Sequence, residues 1–344
     1  MTDRYLVVGG TGFIGRHVVA RLLADGHDVA VFHRGHTTVD LTPKVRRVLG
    51  DRRAIAGHAR ELRSIEPRVV IDMIGYTEDE ARDCAELFRG VAERLVVASS
   101  QDVYRAFDRF RGQSKGPVEP IPYDEEAPLR ERLYPYRGSA DRQDPWIRDY
   151  DKILVERAVM EGAGPAATVL RLPMVYGPGD RQHRILPYLK RMDDGRTAIL
   201  LEEGQAGWRW TRGYVGNVAA AIALAATDDR AAGAVYNVGD SDALTETGWV
   251  REIARAAGWK GDVVEVPAAS WPAARTASVD WTQPLVADTS RIRRELGHRD
   301  PIDRSEGLLA TVTWERETPP LLDPRQFDYV AEDRLLERLG RAGA

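Results

Sequence analysis

The sequence predicts an α/β protein: a doubly wound parallel sheet followed by a smaller, mixed α/β region. Three observations carry this expectation. Short apolar runs alternate with helical patterns through the first half of the chain, a glycine-rich turn separates the first run from the first helical pattern, and the second half mixes helices with strands. The runs are 5–8, 29–32, 45–49, 69–71, 95–98 and 168–170. Continuous apolar strands belong to a sheet covered on both faces, as parallel sheets are. A nucleotide then binds at the carboxyl ends of the strands, where the strand order reverses.

The turn is Gly9-Gly10-Thr11-Gly12-Phe13-Ile14-Gly15. It follows Tyr5-Leu6-Val7-Val8 and precedes Ile14, Val18, Val19, Leu22 and Leu23 at helical spacing. Strand, glycine turn and helix in this order form a Rossmann-type device. Glycines let the backbone approach a pyrophosphate, and free N–H groups at the helix start face the anion. Gly9, Gly12 and Gly15 are spaced one residue wider at the first gap than GxGxxG, and the strand and helix on either side give the motif its meaning. Gly9, Thr11, Gly12, Phe13, Ile14 and Gly15 are therefore the first cofactor-binding candidates.

A chain of 344 residues can bury a large core. Its net charge of −4 gives no general attraction to nucleic acid or membrane. The single cysteine, Cys84, excludes an internal disulfide and a cysteine-rich metal site, and no metal is expected. No apolar run reaches membrane-spanning length, so a soluble cytoplasmic protein is the expectation.

Residues 105–147 interrupt the alternation with prolines, charges and Tyr134-Pro135-Tyr136, which reads as a functional loop or insertion. Beyond it, 185–192, 218–227 and 247–258 read as helices, and 234–238 and 263–266 as strands. Pro319, Pro320 and Pro324 mark a loop before a charged helix at about 330–341. The expected division is a dinucleotide-binding domain over 1–170 and a smaller substrate-binding region over 171–344, with some of its segments returning to the Rossmann core.

The second strand ends in His33-Arg34-Gly35, with no acid to accept from a ribose 2′-hydroxyl. A guanidinium binds a 2′-phosphate that a carboxylate would repel, so NADP is favoured over NAD. Asp51 is placed to accept from the adenine amino group or to cap a helix, and Arg52 to stack on the ring or reach a phosphate. Gly75, after the fourth strand, allows close approach of the backbone to the cofactor.

Several further motifs resemble the extended short-chain dehydrogenase/reductases, the NAD-dependent epimerase/dehydratase family, over most of the chain. Ala98-Ser99-Ser100-Gln101-Asp102-Val103-Tyr104 is similar to the strand end that bears the catalytic Ser or Thr. Leu170-Arg171-Leu172-Pro173-Met174-Val175-Tyr176-Gly177-Pro178-Gly179 is similar to the segment beside the nicotinamide. Arg212-Gly213-Tyr214-Val215-Gly216-Asn217-Val218 and Tyr236-Asn237-Val238-Gly239 match two later signatures, and 288–297 with Pro301 resembles the C-terminal element. The resemblance implies that Ser99 and Pro173 line the cofactor, Lys152 holds the nicotinamide ribose, and Ser100 binds the reacting oxygen. It also implies that Arg212 grips substrate phosphates, a task that suits a guanidinium. Tyr136, Arg148 and Tyr176 are further substrate-binding candidates.

Two positions depart from the family: Asn217 stands where the family usually has an acid, and the tyrosine partner of Lys152 is displaced. A tyrosine normally stands four residues before the lysine, so that both side chains share a helix face. Here Arg148 occupies that place, and Tyr150 is two residues before Lys152, roughly 200° around an ideal helix. Tyr150 reproduces the usual geometry only where the helix begins irregularly. Asp102 matches the acid–base position of the family's sugar-nucleotide dehydratases and is the other candidate for moving the proton. The expected function is an atypical NAD(P)-dependent oxidoreductase, epimerase or dehydratase. Its substrate is a hydroxyl or carbonyl of a nucleotide sugar or secondary metabolite. A non-catalytic NADP-binding regulator and an RNA-binding relative of chloroplast stem-loop-binding proteins are the alternatives. The acidic net charge makes nucleic acid the less favoured partner. By the same resemblance, helix 80–93 and the helix after Lys152 correspond to the elements through which relatives dimerise, which implies a homodimer.

Overall fold

The computed structural model describes residues 3–37, 42–137, 145–272, 279–323 and 326–340. Residues 138–144 of the expected insertion, Pro324 and Arg341 lie outside them. The first half of the chain forms β1 (Arg4–Val8), α1 (Phe13–Ala24), β2 (Asp28–His33), β3 (Arg46–Leu49), α2 (Ala59–Arg63), β4 (Val69–Asp72), α3 (Glu78–Phe88) and β5 (Arg94–Ser100). The insertion carries α4 (Arg105–Phe110) and α5 (Pro145–Arg148); α6 (Lys152–Met160) and β6 (Ala166–Leu172) follow. Then come β7 (Met174–Tyr176), α7 (Leu186–Asp193), β8 (Ala198–Glu202), α8 (Glu203–Gly207), β9 (Arg212–Tyr214), α9 (Val215–Thr227) and β10 (Val235–Asn237). The chain closes with α10 (Glu246–Ala257), β11 (Asp262–Val266), α11 (Ser290–Leu296), α12 (Arg304–Glu317) and α13 (Tyr329–Arg338).

Seven parallel strands make the central sheet, in the order β10-β6-β5-β4-β1-β2-β3. Alternation along each strand divides the apolar side chains between two faces. Val7, Val31, Ile71 and Val96 join α1 and α9 on one side, whereas Leu6, Val70, Leu95 and Val97 join α3 and α6 on the other. The chain runs outward from β1 to β3, then restarts at β4 on β1's opposite edge. The carboxyl ends of β1 and β4 are therefore the switch point, and the glycine turn and Gly75 both stand there.

β10 is supplied by the second half of the chain and pairs with β6 from Val235↔Val169 to Asn237↔Arg171. β8 and β11 form a separate parallel pair, as do β7 and β9. The insertion is stitched to the later segment around 285–288: the Tyr123 amide donates to Val286 O at 2.9 Å and the Asp288 amide to Tyr123 O at 2.7 Å. Phe110 stacks on Trp208, with ring centroids 4.6 Å apart. Among the described residues, no helix is long and apolar enough to cross a membrane.

Candidate active site

The turn after β1 has the shape of an anion cradle. Gly9 adopts φ +83°, a conformation open to glycine, and a Cβ on Gly15 would lie 2.3 Å from Gly9 O. Gly12 caps α1 in an extended conformation; no side chain bonds to the cap and no acid occupies the first turn. The partial positive charge of the helix start is thus uncompensated, which fits a pyrophosphate.

The chemical groups gather where β4, β5 and α6 meet. Asp151 caps α6 by accepting from the Ile153 amide at 2.9 Å, so Lys152 is the first helical residue and Tyr150 precedes the cap. Tyr150 therefore lies outside the helix, and its position relative to Lys152 is not set by helical spacing. Its hydroxyl donates to Asp102 Oδ2 at 2.8 Å and hydrogen-bonds with Ser100. Tyr136, from the insertion, donates to the same Asp102 oxygen at 3.0 Å. Lys152 Nζ donates to Gly75 O and Ala98 O, both at 2.7 Å, and lies 5.0 Å from the centroid of the Tyr76 ring. Ser100 Oγ accepts from the Asp102 amide at 3.1 Å.

Burial dominates the electrostatics. It raises the Asp102 carboxyl, against the lowering effects of Arg130, Tyr150, Tyr136 and Lys152. Burial, followed by the Asp102 charge, holds the Tyr150 phenol well above its usual value. Burial also pushes the Lys152 ammonium down to about 8. The cluster thus contains a phenol hydrogen-bonded to a buried carboxyl group, next to a buried amine.

The model of the NAD dependent epimerase/dehydratase family matches residues 5–137 and 146–239. The chain belongs to that family. It is a nicotinamide-dependent enzyme of the epimerase, dehydratase and reductase kind. It is 28% identical over 301 residues to 2′-dehydrokanamycin reductase of Streptomyces kanamyceticus, covering 84% of this chain and 75% of the relative. It is also 28% identical over 355 residues to dTDP-glucose 4,6-dehydratase of Streptomyces griseus, covering 91% and 94%. A solved UDP-glucose 4-epimerase of Thermus thermophilus, in complex with NAD, superposes with a TM-score of 0.64 at 25% identity over 91% of this chain and 99% of its own. The non-catalytic and RNA-binding alternatives are not favoured by these relatives.

The other expected residues divide between the glycine turn and other contacts. Thr11, Phe13 and Ile14 line the glycine turn with Gly9, Gly12 and Gly15, and Arg34 is exposed just beyond β2. His33 Nδ1 accepts from the Gly35 amide at 3.2 Å, shaping that turn. Asp51 caps the following 3₁₀ turn by accepting from the Arg53 amide at 3.0 Å. Pro173 packs beside Gly213 and Gly239, between β6 and β7. The remaining side chains stand elsewhere. Arg52 is buried on Asp72 at 2.6 Å, and Ser99 Oγ donates to the buried Glu156 at 2.5 Å. Arg148 leaves the cluster altogether: its side chain is 75% exposed, beside Asp149. Tyr176 is buried against Trp249 and Tyr214, and Arg212 is paired with Glu246.

Sequence reasoning missed Arg130, Glu246 and Tyr188. Arg130 Nε donates to Asp102 O at 2.5 Å and its Nη2 to Asp151 at 3.3 Å. Glu246 follows Thr245, a helix cap, and in sequence looks like an ordinary first-turn acid.

Proposed function

We propose that the chain is an NAD-dependent enzyme that interconverts a hydroxyl and a carbonyl on a sugar or secondary metabolite, with Tyr150 and Asp102 moving the proton. The observation that carries this reading is the 2.8 Å hydrogen bond from Tyr150 to buried Asp102 beside Ser100. When bound, the dinucleotide supplies the hydride acceptor or donor. The cradle of Gly9, Gly12 and Gly15 would hold its pyrophosphate, and Lys152, with two N–H bonds on backbone carbonyls, has a third for a ribose hydroxyl. Ser100 orients the substrate oxygen. As that oxygen gives its proton to the Tyr150 oxygen, Tyr150 passes its own to Asp102 Oδ2; the return step restores both. The raised phenol and the adjacent carboxylate favour this relay over a phenolate base.

NAD is proposed because the similar Thermus thermophilus epimerase is an NAD complex. A second reading, NADP, is favoured by exposed Arg34 at the end of β2. Fluorescence titration with each dinucleotide separates them: under the first reading NAD binds more tightly, and Arg34→Ala weakens only NADP. A homodimer in this reading would pair α3 and α6, whose outer positions include the exposed Asp79, Arg82, Asp83 and Glu86.

The catalytic assignment is tested on a panel of hydroxyl- and carbonyl-bearing sugars, free and nucleotide-linked, with products followed by NMR. Tyr150→Phe and Asp102→Asn are each expected to lower kcat by about 10²–10⁴-fold with dinucleotide affinity retained. Intact turnover in Tyr150→Phe would remove the relay.

A further inference from the structure

Arg212 opens β9 and is 4% exposed. Its guanidinium lies over the Trp249 ring, 4.6 Å from the centroid. One terminal nitrogen donates to a Glu246 carboxylate oxygen, and the other is 3.4 Å from Trp210 O. Glu246 is itself buried, and its second oxygen accepts from the Tyr188 hydroxyl at 2.5 Å. Three elements contribute: Arg212 from β9, Glu246 from the first turn of α10 and Tyr188 from α7. The arginine charge is therefore matched inside the protein, and the carboxylate that matches it is held from behind.

A guanidinium that grips a diphosphate must turn its N–H edge toward the ligand and bring net positive charge. In Arg212 both terminal nitrogens are turned to protein acceptors, only the buried Nε–H has no partner, and the charge is matched while Glu246 holds it. A diphosphate would have to break a buried, hydrogen-bonded ion pair, and breaking such a pair leaves one charge uncompensated. It would also approach a second negative charge at close range. We infer that Glu246 is a specificity-determining residue: by occupying Arg212 it excludes nucleoside-diphosphate substrates, so that the enzyme acts on a hydroxyl- or carbonyl-bearing metabolite with no diphosphate. This rests on the reaction proposed above for the identity of the substrate group, but the exclusion itself is a matter of binding alone.

Calorimetry on the full-length protein, with UDP and dTDP as probes, reads this directly. The wild type is expected to bind neither up to about 1 mM, and Glu246→Gln, which keeps the hydrogen-bond geometry and removes the charge, to bind at least about tenfold more tightly. Wild-type affinity in the micromolar range overturns the inference. So does a Glu246→Gln protein that binds dinucleotide normally and shows no gain for UDP or dTDP. If Glu246→Gln does not fold, Tyr188→Phe, which loosens Glu246 from behind, is read in its place. About a threefold gain is then expected, and no gain overturns the inference. The titrations are run with and without NAD, so a failure to bind NAD counts against the proposed reaction and leaves the Glu246 result standing.

Discussion

Lys152 has two pH dependences of opposite sign. Burial lowers its ammonium from 10.5 to about 8, against the opposing charges of Asp72, Asp102, Glu80 and Glu156. Its proposed hold on a ribose hydroxyl uses the charged form, so kcat/KM is expected to fall as pH rises through about 8. Stability responds the other way. Between about 8 and 10.5 the folded lysine has already lost its proton while the unfolded one keeps it, so the unfolded state binds more protons and this group's contribution to stability rises with pH. Activity profiles and urea unfolding at matched pH check the two together; a rate that stays flat from pH 7 to 9 would argue against the assignment. Residue types were legible here before their positions were. Ser100, Asp102, Tyr150 and Lys152 stand out in the sequence, but that Tyr150 reaches Asp102 follows from a helix start that propensity does not locate to the residue.

At the scale of elements, one buried pair holds the site together. Arg130 and Asp151 have side chains with 0% exposure and meet at 3.3 Å. Arg130 also donates to Asp102 O and to Arg132 O, and Asp151 caps α6 while accepting from the Tyr134 amide. The insertion, the end of β5 and the start of α6 are thereby fixed relative to one another. Arg130→Met would leave Asp151 buried without its partner, and is expected to cost about 3–5 kcal/mol in urea unfolding and to lower kcat by displacing Tyr150. A loss under about 1 kcal/mol, as for an exposed pair, would mean that the pair does not fix these elements. The Asp151 cap is readable as Asp before a helical pattern. Its partner 21 residues upstream, in a stretch without periodicity, is not.

At the scale of the whole molecule, the division after residue 170 cuts across the central sheet. β10 covers the edge of β6, and α9 packs against α1 on the face of the sheet. A fragment of residues 1–170 would expose that edge and the apolar face of α1, so it is expected to aggregate or to unfold without cooperativity; a sharp two-state thermal transition would show that the first half is autonomous. The sequence alone determined the parallel sheet, the glycine turn at its switch point and the family, because these depend on local periodicity and on motifs whose residues are neighbours in the chain. It also supplied the residues from which a proton relay could be built. Only the tertiary structure decided which of them meet. Tyr150 joins Asp102, Arg148 turns to solvent, Arg52 is held by Asp72, and Arg212 is held by Glu246. The Arg52 and Arg212 outcomes depend on charges far apart in sequence that become close neighbours when burial removes water from between them, a competition that no local pattern encodes.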